Sequence, residues 1–281
     1  MRIRFGTLLV LGALVAAPGL AQGETTAGDV TFRRTLTPFD ATPTADLIGV
    51  GSAPADDFLF ETGWWFRVAG DTREFPLPQP DSQSYVGNES LIAWDDVAGR
   101  GLFAATEITI LLDLGPQIGA PGGFVQMSLT VENLSAVEPL ALDIFHFADF
   151  DVRPDFGNDS ARLAQWSPNG LIELSDSGSQ RAAYSGSPGW SGYLVAPLGA
   201  GDVPALLSDA AITEFDNTGL PFGPADFTGG WQFSLLLPPS GSETVTVLLL
   251  VNDSFYCDSP IGVYCDGFES ASTAIWSAVA P

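Results

Sequence analysis

Lysine is absent from the 281 residues, histidine occurs once and cysteine twice. Zinc sites need several histidine or thiolate ligands. A Ser-His-Asp triad needs a histidine beside a serine nucleophile, and here only His146 is on offer. No G-x-S-x-G nucleophile elbow is present; Gly189-Trp190-Ser191-Gly192 is only a fragment of one. With 10 Arg against 34 Asp+Glu the formal charge is −24. A surface of that sign repels phosphate backbones and anionic headgroups, which excludes nucleic acid and anionic membranes as default partners. Gly (31) and Pro (21) are frequent but follow no period, which excludes a collagen-like chain. A hydrophobic content of 46% with 19 Phe excludes a disordered acidic tail.

Long apolar runs are also scarce. The exception is the N-terminus, MRIRFGTLLVLGALVAAPGLAQGE. Arg2 and Arg4 precede an apolar stretch from Phe5 to Ala17, and Gly19-Leu20-Ala21 places small residues before a cleavage point at Gln22. Residues 1–21 therefore read as a signal peptide; the run is too short to span a bilayer, and Pro18 and Gly19 break it. No second stretch reaches the ~20 apolar residues of a spanning helix, so the mature chain is expected to be secreted without a membrane span. In an oxidising compartment Cys257 and Cys265, with Pro260-Ile261-Gly262 turning the chain between them, are expected to form a local disulfide. Closing so short a loop contributes roughly 2–3 kcal/mol.

What the sequence has in quantity is two-residue alternation. In 124–132, Val125, Met127, Leu129 and Val131 fall on one face and Gln126, Ser128, Thr130 and Glu132 on the other. The same pattern runs through 102–114, 140–152, 231–237 and 243–251, with further strands expected at 31–36, 64–68, 171–174 and 192–198. Turn signals such as Ala120-Pro121-Gly122-Gly123 and Pro238-Pro239-Ser240-Gly241 separate them. Only Asp202–Ser208 reads as a short helix, with Asp202 as N-cap and Pro204 in its first turn. Strands with one wet face and no βαβ alternation predict an all-β fold: a large antiparallel β-sandwich, jelly-roll or supersandwich-like, over 22–252. Residues 253–281 read as a short disulfide-closed C-terminal appendage.

Three groups of residues bear on chemistry. Asp149 and Asp151 alternate on a strand, and Asp155, Asn158 and Asp159 follow in a turn. Hard oxygen ligands at a strand-to-loop junction suit calcium, although the spacing is not that of an EF-hand. The competing reading is an ordinary acidic turn, capped by Asx side chains and neutralised by Arg153 or Arg162. Same-face carboxylates about 7 Å apart also fit a glycosidase pair, a spacing that any D-x-D strand produces. In Trp64-Trp65-Phe66-Arg67, Trp64 and Phe66 share one face and Trp65 and Arg67 the other, and Trp64, Trp65 and Arg67 are the candidates for stacking a sugar or meeting a partner protein. The alternative is that both tryptophans fill the core and cover its edge. His146 is in phase with Leu142, Ile144 and Ala148, the pattern of a hydrogen-bonded core histidine.

Several blocks resemble a family of secreted bacterial β-rich proteins. They are Phe58-Leu59-Phe60-Glu61-Thr62-Gly63-Trp64-Trp65-Phe66-Arg67-Val68 followed by Asp71-Thr72-Arg73-Glu74; Val131-Glu132-Asn133-Leu134; Phe147-Ala148-Asp149-Phe150-Asp151-Val152; and the stretch from Asn217 to Gly229 containing Pro221-Phe222-Gly223-Pro224 and Asp226-Phe227. Many members carry a PEP-CTERM sorting tail. The resemblance implies an exported β-rich protein and brings no catalytic residues. The C-terminus departs from that pattern, with no terminal apolar helix and no Arg cluster. Cys265-Asp266-Gly267-Phe268-Glu269-Ser270 with Trp276 instead resembles a D-G-F-E-S tail found on secreted Gram-negative proteins.

Together these readings predict an exported, non-catalytic surface or extracellular-matrix protein. The alternative is a carbohydrate- or calcium-binding module meeting extracellular glycans or surface proteins; a hydrolase using Asp149 and Asp151 is the least supported. N-terminal sequencing of the exported protein is expected to begin at Gln22; a chain still starting at Met1 would refute the cleavage site.

Overall fold

A computed structural model describes residues 22–27, 30–35, 45–49, 58–112, 123–152, 157–164, 169–178 and 181–251. The expected signal peptide, Asp155, Cys257, Cys265 and the C-terminal appendage lie outside the described residues. The strands, in chain order, are β1 (Gln22–Ala27), β2 (Val30–Thr35), β3 (Ala45–Gly49), β4 (Leu59–Val68), β5 (Phe75–Pro76), β6 (Ser82–Val86), β7 (Glu89–Trp94), β8 (Leu102–Leu112), β9 (Gly123–Asn133), β10 (Leu140–Phe150), β11 (Asp159–Ala164), β12 (Gly170–Ser175), β13 (Arg181–Gly186), β14 (Gly192–Pro197), β15 (Phe222–Ala225), β16 (Phe227–Leu237) and β17 (Ser242–Val251). Among the described residues one α-helix, α1 (Val203–Ser208), and a 3-10 turn at Val97–Gly99 interrupt them. The fold is all-β, as the alternation predicts.

Two large antiparallel sheets make up the sandwich. One has the order β14-β16-β10-β4-β5 and the other β15-β11-β12-β13-β17-β9-β8-β7-β6. The N-terminal strands form a third, small sheet, β1-β2-β3. Alternation decides which side chains face inward. Val125, Met127, Leu129 and Val131 of β9 join Val245, Val247, Leu249 and Val251 of β17 in the main core. Leu142, Ile144, Ala148 and Phe150 of β10 meet them from the opposite sheet. On the wet face the strands are stitched by hydroxyl pairs, Ser128 with Thr246 at 3.0 Å and Thr130 with Thr244 at 2.8 Å.

The five-stranded sheet is buried on both faces. Its outer face carries Trp65, Phe145 and Phe147, which pack against Val203 and Leu207 of α1 and against Phe215. The helix forms where the sequence places it: Asp202 accepts a hydrogen bond from the Ala205 backbone N–H at 2.8 Å, and Pro stands in the first turn. Arg67 fixes the segment that follows. It pairs with Glu74 at 2.7 Å, with Asp143 at 2.6 Å and with Glu214, and donates to the Thr213 carbonyl at 3.1 Å.

The edges of the large sheets are short or covered. β5 has two residues and ends in Pro76, and β15 has four and contains Pro224. β14 is shielded by Asn217 and Thr218: the Val195 N–H donates to the Thr218 carbonyl at 3.1 Å and the Asn217 N–H to the Tyr193 carbonyl at 2.9 Å. β6 is exposed along most of its length.

Trp231 of β16 shows how closely the sheets meet. Gly170 and Gly186 are register partners on β12 and β13, and the indole lies against their bare backbone. A Cβ at Gly170 would come within 2.3 Å of the Trp231 ring, and one at Gly186 within 2.9 Å. Gly170→Ala is expected to lower stability by about 1–3 kcal/mol in urea unfolding, because the ring has no room to retreat; an unchanged midpoint would contradict this packing.

Candidate metal centre

At one end of the sandwich three acidic side chains converge. Asp149 sits at the penultimate position of β10, opposite Glu61 on β4 and Thr228 on β16. The pairing with β4 slips here: Asp149 faces Glu61 but Phe150 faces Leu59, so Phe60 bulges outward, 53% exposed. Alternation from Phe145 and Phe147 puts Asp149 on the outer face of the sheet, at the margin of the cluster under α1. Asp151 follows the strand, its backbone N–H bonded to the Phe58 carbonyl at 3.0 Å. Asp226 arrives from the other direction, in the single-residue step between β15 and β16. One carboxylate oxygen from each of Asp149, Asp151 and Asp226 lies within 4.8 Å of the others.

The electrostatics are unusual for a surface loop. Asp149 is 1% exposed, and neither of its carboxylate oxygens meets a hydrogen-bond donor. Burial, followed by the charges of Asp151, Asp226, Glu61 and Asp202, raises its pKa from an ordinary 3.8 to about 9. Among the described residues, the charged neighbours that shift it are all acids. Burial and then Asp202 raise Glu61 to about 7. Asp226 is raised by burial, and its Oδ1 is buried without a partner. Asp202 is committed elsewhere, capping α1 at Ala205 and accepting from the Gly199 N–H at 2.9 Å. Asp159 begins β11 fully buried; desolvation, then Asp151, Asp176 and Asp226, raise it to about 8. The neighbouring Val152 backbone N–H offsets part of this without closing a hydrogen bond.

This arrangement is chemically an oxygen cage. Oxygens bound to one calcium at 2.3–2.6 Å are at most about 5 Å apart, so the Asp149, Asp151 and Asp226 oxygens are within reach of a shared ion. Imidazole and thiolate ligands are missing from the group, which disfavours zinc. Of the four acids singled out from the sequence, Asp149 and Asp151 are brought together, Asp159 stands beside them, and Asp155 lies outside the described residues. Asp226 was not among them. It stands one residue before the alternating stretch that forms β16.

The aromatic stacking surface does not exist as expected. Trp64 is 3% exposed and Trp65 2%, so neither ring face is open to a ligand. Trp64 packs edge-on to His146 at 4.4 Å between centroids, whereas Trp65 faces α1. Arg67 is taken up by Glu74, Asp143 and Glu214. The reason is that β4 is covered on both sides. His146 is a core residue: Nδ1 lies 2.7 Å from the Tyr184 hydroxyl and Nε2 3.2 Å from Thr62 Oγ1. Its ring is thus held between a tyrosine and a threonine hydroxyl inside the core. A glycosidase pair is equally ill served, since Asp149 is shut away from any substrate.

No family model and no curated protein matches the sequence. Among solved structures the chain is similar to a polysaccharide lyase, at 12% identity and a TM-score of 0.49 over 82% of this chain and 33% of that one. It is also similar to a protein described as a kojibiose phosphorylase from the human microbiome, at 7% identity and a TM-score of 0.37 over 78% of this chain and 25% of that one. The chain thus spans a third or less of either neighbour.

The raised acids set a pH dependence. Each holds its proton more tightly folded than unfolded, so its stabilising contribution is complete below about pH 4 and is lost as pH climbs through the folded values of about 7 to 9. In a chelator, the melting temperature is expected to fall between pH 6 and pH 9, and Asp149→Asn to remove part of that fall. A flat profile in the wild type would refute the burial of these carboxylates.

Proposed function

We propose that this chain is an exported β-sandwich protein that binds calcium at the acidic end of its sandwich and serves as a non-catalytic surface or extracellular-matrix component. The observation that carries the reading is Asp149: a fully enclosed carboxylate with both oxygens unpartnered, aimed at two further carboxylates within 4.8 Å. Such a group is stable when it is protonated or when it is bound to a cation. Asp151 and Asp226 make the second outcome available. Carboxylates from two backbone segments, the end of β10 and the step before β16, form an irregular cage, which suits the flexible six-to-eight coordination of calcium better than the strict octahedron of magnesium. The ion would replace the water that Asp149 loses, and would fasten the end of β10 to the start of β16.

Extracellular modules bind calcium with dissociation constants near 10⁻⁴–10⁻³ M, so a modest site suffices outside the cell. Export itself rests on Arg2, Arg4 and the apolar run that follows them.

An ion held only by the folded state raises the melting temperature. At ~100 times the dissociation constant the gain is about 2.7 kcal/mol, or roughly 5–10 °C for a domain of this size. Calcium added after chelation is expected to produce that rise. Asp149→Asn and Asp226→Asn are expected to abolish it, Asp149→Asn while melting higher than wild type in the chelator. A wild-type protein whose melting ignores calcium at millimolar concentration would end the proposal.

A further inference from the structure

Four strands bound the two large sheets, and three of them are stopped: β5 and β15 carry proline, and β14 is shielded by Asn217 and Thr218. β6 has none of these protections. Its sequence, Ser82-Gln83-Ser84-Tyr85-Val86, holds no proline and no charged side chain, the two commonest guards of an open edge. Among the described residues no strand pairs with it on the side away from β7. Register with β7 sets its faces: Ser82 lies opposite Ala93, Ser84 opposite Leu91 and Val86 opposite Glu89. Gln83 lies opposite Ile92, a core residue, so Ser82, Ser84 and Val86 are on the wet face. Val86 is 73% exposed there and Leu91 43%. The small sheet lies on the other face, where Thr25 of β1 bonds to the buried Ser90 of β7.

We propose that β6 is a dimerisation edge, at which two copies of this chain pair β6 to β6, antiparallel, about a two-fold axis through Ser84. A strand paired with itself in this sense forms an isologous interface. The side chains suit it. Ser82 meets the partner's Val86, a small residue against an exposed larger one, Gln83 meets the partner's Tyr85, and the two Ser84 hydroxyls face each other on the axis. Charge selects the same arrangement: Asp81 meets the partner's Gly87, whereas a parallel alignment would set Asp81 against the partner's Asp81. The five neutral residues stand out in a chain of formal charge −24. Elsewhere two such copies repel, so the ladder works against a long-range repulsion that salt screens. This pairing is independent of calcium at the far acids.

Sedimentation equilibrium of the full chain at micromolar concentration, in a chelator, tests it. The wild type is expected to dimerise, and more tightly at about 1 M salt, where the Debye length is about 3 Å, than at about 0.01 M, where it is about 30 Å. S84E, which sets two carboxylates face to face on the axis, is expected to weaken the dimer by about tenfold or more at low salt. S84C is expected to give a disulfide-linked dimer, because residues opposed across an antiparallel pair have Cα atoms about 4.5–5.5 Å apart. S82C, whose opposite number is Val86, is expected to stay unlinked. A wild type that is monomeric at both salts overturns the proposal, and this reading needs no variant to fold. A dimer indifferent to S84E, or one in which S82C links as readily as S84C, overturns the edge and its register.

Discussion

A carboxylate taken out of water must be matched by hydrogen-bond donors, by a cation or by a proton, and this constraint governs the acidic end of the sandwich. Elsewhere the fold meets it within the chain. Arg67 answers Glu74, whose side chain is fully enclosed, and reaches Asp143 on the neighbouring strand and Glu214 in the segment that covers the sheet. Asp202 has two backbone donors. Asp149 has no such partner, and Asp159 has only the distant Val152 backbone N–H. A chain without lysine and with 10 arginines against 34 acids has few cations of its own to send there.

The two buried faces of the five-stranded sheet explain where the acids sit. On β10 the inner residues close the main core, while Phe145 and Phe147 face α1. Asp149 continues the outer row beyond the end of the helix cluster, and the slip at Phe60 ends the ladder just there. The aromatic side chains that hold α1 against the sheet also exclude water from the first acid in line. The site is thus a product of the packing around it, and weakening α1 would hydrate it.

Much of the fold is legible in the sequence, because burial between two layers repeats every second residue. Val125 to Val131 and Val245 to Val251 are inward as alternation requires, and Asp202 caps its helix. The strands not expected from the sequence include β5, with Phe75 and Pro76, and β13, where Ala182 and Ala183 are both buried, and also β6, β7 and β11, the last of which begins at Asp159 where a turn was expected. The aromatic block at Trp64–Trp65–Phe66 does signal burial on both faces, but what covers the second face is α1, more than a hundred residues later. The acidic site is half legible for the same reason. Asp149 and Asp151 are neighbours in sequence, whereas Asp226 is brought to them by strand pairing across β10 and β16, which has no local period to reveal it.

The margins of the large sheets carry a further consequence. Proline removes an amide donor, so β15 with Pro224 and β5 with Pro76 offer little for another chain to zip onto, and Asn217 and Thr218 already occupy the flank of β14. Of the described strands bounding the two sheets, β6 is left as the accessible rim. Growth into a fibre by backbone zippering requires two complementary rims per molecule; one rim terminates at a back-to-back pair. A larger lattice built through the two large sheets alone would have to be cemented by side chains.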